Sequence, residues 1–73
     1  MSGCVKDIFP ARLQECRLRL GISQQEAARR LGISPKTYNH YETGKTQPHL
    51  DTLARIATLF QERAEYLLGL CDE

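Results

Sequence analysis

The sequence predicts an all-α fold: a compact bundle of about five short helices, forming a single domain over residues 1–73 with a core of about 8–70. Three observations support this. Apolar residues recur at helical spacing in successive segments, and capping residues and glycines separate those segments. A chain of 73 residues can also bury only a modest core, which short packed helices build economically.

The first helix is predicted from apolar residues at positions i, i+4, i+7 and i+11, namely Phe9, Leu13, Cys16 and Leu20. Asp7 is expected to cap its start, and Pro10 is tolerated in the first turn. Gly21 is expected to end it. On this stripe Cys16 is interpreted as a small core residue rather than a reactive thiol.

The second and third helices are predicted from their caps. Ser23 with Glu26 forms a capping box, and the narrow apolar face that follows consists of Ala27, Ala28 and Leu31. Gly32 ends the second helix, and Ser34 followed by a proline begins the third after only about three residues.

The third helix has two different faces. Two tyrosines, Tyr38 and Tyr41, share one face, while the opposite face carries Lys36, Asn39 and His40. A fourth helix is predicted from five inward-facing residues, Leu50, Leu53, Ile56, Ala57 and Phe60. A short fifth helix over 63–70 carries Tyr66, Leu67 and Leu70; whether it is separate from the fourth remains open, because Arg63 is a poor cap.

Composition excludes several classes of protein. The charged and apolar fractions, 26% and 41%, are those of a globular chain. There is no apolar run of membrane-spanning length and no signal peptide, so we expect a soluble, cytoplasmic protein without a membrane partner. Three cysteines and two distant histidines lack metal-ligand spacing, so neither a metal nor another cofactor is expected.

Charge is distributed unevenly along the chain. Residues 1–49 hold eight Lys/Arg against four Asp/Glu, whereas residues 50–73 hold two against five. A basic front half suits a polyanion, although a chance imbalance on a solvated surface is an equal alternative.

Two short helices joined by a glycine turn, the second with a polar outer face, are typical of a helix-turn-helix. A helix fits the major groove of DNA, where asparagine can pair with adenine, lysine or histidine can donate to guanine, and a threonine methyl can touch thymine. The stretch SPKTYNHYETGK, residues 34–45, therefore has the side chains that a DNA-reading helix needs.

Residues from about 9 to 69 resemble the phage Cro/repressor-type (Xre-type) helix-turn-helix domain, whose fold is lambda-repressor-like. The resemblance is carried by SQQEAARRLGISPKTYNHYETGKTQP, then LDTLARIATLF and YLLGL. These match the pattern S/T-Q-x-x-x-A-x-x-x-G-[IV]-S, a helix ending Y-E-x-G-K, a proline, and an L-x-x-I-A helix. Together, in this order and at these spacings, the fragments are specific, although each one alone is weak.

The resemblance implies a role for individual residues. The base-reading positions of the recognition helix 34–42 would be Pro35, Lys36, Thr37, Asn39 and His40. The phosphate contacts would be Gln24, Ser34, Thr43, Lys45, Thr46 and Tyr38. Two departures from the family pattern matter: Pro35 has no hydrogen-bond donor, and Tyr38 replaces an aliphatic residue. The hydroxyl of Tyr38 either reaches a phosphate or is the solvated tip of a core ring.

The resemblance also implies an ion pair between Arg17 of the first helix and Glu42 at the end of the third; the alternative is that both lie on a solvated surface. A homodimer is expected, because one short helix covers about one half-site of a palindrome. The residues predicted at the dimer interface are Tyr66, Leu68 and Leu70, the last two as an exposed apolar patch.

The sequence therefore predicts a sequence-specific regulator of transcription, a repressor, that binds a palindromic operator in double-stranded DNA. The alternative is a protein-interaction module with the same fold, such as an antitoxin that binds a protein partner. An enzyme is not expected, because no catalytic arrangement of Ser/His/Asp, Cys/His or paired carboxylates is visible and a small helical domain offers little concave volume.

Overall fold

The computed structural model describes residues 5–69, which fold into five helices. They are α1 (Val5–Leu20), α2 (Gln24–Leu31), α3 (Pro35–Thr43), α4 (Leu50–Phe60) and α5 (Ala64–Leu67). This part of the chain contains no strand, so the all-α prediction is confirmed. Asp7 lies inside α1, which begins two residues earlier than its predicted cap.

One core joins the five helices. α1 packs against α3, α4 and α5, and α2 packs against α3 and α4. The buried hydrophobic residues are Phe9, Leu13, Cys16, Ala27, Ala28, Leu31, Tyr38, Tyr41, Leu53, Ile56 and Leu67. Burial raises the pKa of the Cys16 thiol, which fits its predicted place in the core.

Local signals set the ends of the central helices. The hydroxyl oxygens of Ser23 and Ser34 accept hydrogen bonds from the backbone N–H groups of Glu26 and Thr37, at 3.0 and 3.1 Å. Gly32 ends α2 in the left-handed conformation, with φ of 74°. The helix-turn-helix is therefore encoded largely by residues at its own turns.

Helices α4 and α5 are separate. Gln61 ends α4 in the left-handed conformation, with φ of 55°, and its backbone N–H donates to the carbonyl oxygens at the end of α4. Arg63 precedes α5 without a side-chain capping bond. The second helix of this pair is consequently only four residues long, shorter than predicted over its described part.

Two predicted core residues are exposed. Leu50, the first residue of α4, is 81% exposed, and Leu20, the last residue of α1, is 46% exposed. Both lie on the apolar stripe of their helix, at its last or first residue. Helical spacing predicts the direction of a side chain and not where the neighbouring helix ends.

Candidate nucleic-acid interface

The turn between α2 and α3 fixes the angle at which the two helices meet. The backbone N–H of Ile33 donates to the carbonyl oxygen of Ala28 at 3.0 Å, beyond the left-handed glycine that ends α2. Ile33 itself packs against the core. Two short helices joined in this way form a helix-turn-helix, in which α3 is the element that can enter a groove of DNA.

The outer face of α3 brings together the predicted base-reading residues. Pro35 and Lys36 at the start of the helix are exposed, whereas Thr37, Asn39 and His40 are half-buried. The two tyrosines of α3 lie on the opposite, buried face. The helix therefore presents a polar surface to the outside while it remains anchored in the core.

The predicted phosphate-contacting residues fall into two groups around α3. Thr43, Lys45 and Thr46 are exposed where α3 ends. The backbone N–H groups of Lys45 and Thr46 donate to the carbonyl oxygen of His40, at 2.9 and 3.4 Å. Because these amides are already bonded within the chain, the groups that remain for an anion are the side chains, above all the ammonium of Lys45.

Ser34 lies at the other end of the helix, where its hydroxyl is used for capping. Its oxygen accepts from the N–H of Thr37, and its own O–H donates to the Thr37 hydroxyl at 2.9 Å. Ser34 is exposed, so an outside acceptor would compete with Thr37 for this proton.

Arg17 and Glu42 form a two-pronged ion pair between α1 and α3. The Nε of Arg17 donates to one carboxylate oxygen of Glu42 at 2.6 Å, and Nη2 donates to the other at 3.3 Å. The side chains are only 11% and 3% exposed. Arg17 also donates to the carbonyl oxygen of Ile22 at 2.9 Å, and its hydrogen bonds to Glu42 raise the pKa of Arg17. The structure thus shows the ion pair that the resemblance to the family implies.

Gln24 extends this pair toward the outer face of α3. Its Nε2 donates to Glu42 Oε1 at 2.9 Å, and its Oε1 accepts from Nδ2 of Asn39 at 3.1 Å. Helical periodicity does not predict the contact between Gln24 and Asn39, because it relates residues within one helix and not residues on two helices. The second hydrogen of the Gln24 amide is not used in these two bonds.

Of the two alternatives for Tyr38, the structure shows the core ring, so the expected phosphate contact is corrected. The residue is fully buried, and its hydroxyl has no exposed surface. That hydroxyl is close to Arg17 and Glu42 yet lies outside hydrogen-bond geometry with every described residue. Burial, followed by the nearby carboxylate of Glu42, raises the pKa of Tyr38 far above its usual value. The ring fills the core, and its tip is enclosed by the protein rather than exposed to solvent.

Two of the three residues predicted at a dimer interface, Tyr66 and Leu68, lie in the described part of the chain. Both contact other residues of the same chain. The Tyr66 hydroxyl donates to Glu15 of α1 at 3.1 Å, and the guanidinium of Arg12 lies 4.3 Å from the centre of its ring. Leu68 is half-buried against the core and is not the exposed patch that the sequence predicted. Leu70 lies outside the described residues.

Residues 5–69 contain no cluster of three His, Cys, Asp or Glu side chains that could hold a metal ion. Among the helices described, none has the length and apolar character needed to cross a membrane.

A helix-turn-helix family profile matches residues 13–67, which include all of α2, α3 and α4. The chain belongs to this family, of the Xre/Cro type. Two relatives from Bacillus subtilis (strain 168) are the HTH-type transcriptional regulators YonR, derived from the SPbeta prophage, and ImmR. They are 39% and 38% identical to the chain, over 84% and 80% of its length. The chain spans about half of each relative, 56% and 46%.

Further helix-turn-helix proteins are similar to this chain in sequence or in fold. An HTH-type transcriptional regulator of Archaeoglobus fulgidus is 36% identical over 85% of this chain and 89% of its own length. The fold is similar to that of the P22 c2 repressor, whose structure was determined with a synthetic operator (TM-score 0.80, 24% identity, 84% and 92% of the two chains). It is also similar to the LexA repressor of Eubacterium rectale (TM-score 0.82, 27% identity, 86% and 67%). These relatives are named as regulators rather than enzymes, as the sequence analysis expects.

Proposed function

We propose that this protein is a sequence-specific DNA-binding regulator of transcription, a repressor, which binds a palindromic operator as a homodimer and acts in the cytoplasm. The observation that carries the proposal is the arrangement of α3. Its polar face is presented outward by a buried ion pair and two buried tyrosines, inside a family whose members are named transcriptional regulators.

In this proposal α3 enters the major groove. Lys36, Thr37, Asn39 and His40 face base edges, and Pro35 makes only apolar contact because it has no donor. Side chains around the ends of α3 hold the phosphates: Gln24, Ser34, Thr43, Lys45 and Thr46. The caps and turns around α3 are formed by hydrogen bonds within the chain. The DNA-binding surface is therefore preformed and needs little reordering when DNA binds.

The second candidate is a module that keeps the fold but binds a protein, as an antitoxin does. The observation that favours it is the exposure of large apolar side chains outside α3, of which Leu18 in α1 is 61% exposed. A groove of about 390 Å³ between α2 and α4, lined in part by Leu31, Leu59 and Arg55, is also open. Neither feature distinguishes a protein partner from a second copy of this chain.

Selection of sites from random duplex DNA tests the proposal, followed by fluorescence anisotropy on the selected site over a series of salt concentrations. A dimeric regulator would enrich a palindrome, and its affinity would fall steeply as salt rises. Weak binding to every duplex without enrichment would instead support the protein-binding candidate. Sedimentation of the complex would give the number of chains on each site.

A further inference from the structure

We infer that a chain of hydrogen bonds from Arg17 through Glu42 and Gln24 fixes the orientation of the Asn39 amide, so that Asn39 selects adenine at one position of each half-site. The inference rests on the proposed function and adds to it the base that one residue reads. Asn39 is in this sense a specificity-determining residue, and Gln24 is its positioning residue.

The chain of bonds starts from a group that can only accept. The carboxylate of Glu42, held in the ion pair with Arg17, has no proton to donate. Gln24 lies 2.9 Å from Oε1 of this carboxylate, so it must present its NH₂ group there and not its carbonyl oxygen. The charge of Glu42 therefore decides which way the Gln24 amide points.

The orientation of the Gln24 amide determines that of the Asn39 amide on α3. With its NH₂ group on Glu42, its Oε1 faces Asn39 and accepts from Nδ2 at 3.1 Å. If the Asn39 amide were flipped, two carbonyl oxygens would face each other. Asn39 is thus held in one of its two orientations, and the choice originates at the ion-paired carboxylate of Glu42, one turn further along α3.

The amide groups of Asn39 that are not bonded to Gln24 determine which base it can recognise. One N–H of its Nδ2 is used, so one N–H and the acceptor Oδ1 remain. In the major groove adenine offers an acceptor at N7 and a donor at its amino group, which matches both. Guanine offers two acceptors and leaves Oδ1 without a partner, whereas cytosine and thymine each satisfy only one of the two groups.

The test is site selection with the full chain and three variants. Gln24→Met keeps the size of the side chain and the Arg17–Glu42 pair but removes both amide bonds, and Asn39→Ala identifies the position that Asn39 reads. Gln25→Met is the matched control, because Gln25 is the exposed neighbour of Gln24. Circular dichroism and thermal melting establish that each variant is folded.

We expect the wild type and Gln25→Met to enrich adenine at one position per half-site, and Asn39→Ala to lose that enrichment alone. Gln24→Met should weaken binding to every duplex, because it also loses the phosphate contact proposed for Gln24, but it should select the same bases elsewhere in the site. Its preference for adenine over guanine at that one position should fall roughly tenfold. An unchanged preference in folded Gln24→Met would overturn the inference, as would a position read by Asn39 that is not adenine. In both cases the proposed function would stand. If the wild type enriches no site, the proposed function and the inference both fail.

Discussion

The guanidinium of Arg17 donates two hydrogen bonds, of 2.6 and 3.3 Å, to the carboxylate of Glu42, and this ion pair links α1 to the end of α3. Both side chains are largely shielded from water. Removing one partner would leave the other charge buried without compensation, which costs far more than the loss of an exposed pair.

Arg17→Met is therefore expected to lower the free energy of unfolding by roughly 2–4 kcal/mol. Urea unfolding followed by circular dichroism measures this. The control is Arg29→Met, because Arg29 pairs with Glu26 on the surface and its side chain is 73% exposed. That variant should unfold at the wild-type urea concentration, and an equal loss in the two variants would contradict the assigned role of Arg17.

Tyr38→Phe is expected to leave stability at neutral pH unchanged or to raise it by up to about 1 kcal/mol, because it removes a buried hydroxyl that has no partner. The Phe ring fills the same space. Thermal unfolding at pH 7 measures the change, and a clear loss of stability would show that the hydroxyl is bonded after all.

The same tyrosine should make stability depend on alkaline pH. Its pKa is raised in the folded state, mainly by burial, so the folded protein holds the proton more tightly than the unfolded chain does. This contribution is fully present below pH ~10, the usual tyrosine pKa, and is lost as the pH rises above it. The free energy of unfolding, measured between pH 8 and pH 11, should fall less steeply with pH in Tyr38→Phe than in the wild type. Parallel curves for the two proteins would refute this assignment.

Two leucines of α4 should differ sharply when they are shortened. Leu53 is 7% exposed and Leu50 is 81% exposed. Leu53→Ala should lower the free energy of unfolding by roughly 2–4 kcal/mol because it leaves a cavity in the core. Leu50→Ala should stay within about 0.5 kcal/mol of the wild type. Denaturant unfolding of the pair decides whether α4 is oriented as described.

Gly69→Ala should destabilise the protein more than Gly32→Ala. Both glycines have positive φ, 80° and 74°, so each substitution carries a conformational cost of about 1–2 kcal/mol. A Cβ on Gly32 meets nothing within 4 Å, whereas one on Gly69 would lie 2.8 Å from side-chain carbons of Ile8. Shortening Ile8 to Ala should remove this additional cost, which a double-mutant cycle measures. Additive effects would contradict the contact.

Lys45→Ala should weaken DNA binding about equally on every sequence and reduce the slope of log affinity against log salt by about 1. Lys45 is exposed after α3, and its ammonium is the group best placed for a phosphate. Anisotropy titrations on the selected site and on a scrambled duplex measure both effects. Lys36→Ala is the comparison, since a base-reading residue should change the ratio between those two duplexes.

The sequence predicts the helix-turn-helix well because its signals are local. Ser23, Gly32 and Ser34 act on backbone groups a few residues away, and each takes the predicted position. The sequence does not predict the division between α4 and α5, because it depends on a positive φ at Gln61, and glutamine seldom adopts that conformation.

What the sequence predicts less well is how far one helix covers another. Leu20 and Leu50 follow the periodicity of their helices and are nevertheless exposed at the helix ends. The contact between Gln24 and Asn39 depends in the same way on how α2 and α3 are placed. Tertiary placement decides both, and spacing along a single chain does not encode it.

The contact between Ile8 and Gly69 brings the two ends of the described chain to the same corner of the bundle. This contact therefore closes a loop that contains every other helix of the described chain, and the entropy lost in closing so long a loop grows only slowly with its length. A single close approach of one side chain to a glycine thus ties the beginning of the described fold to its end.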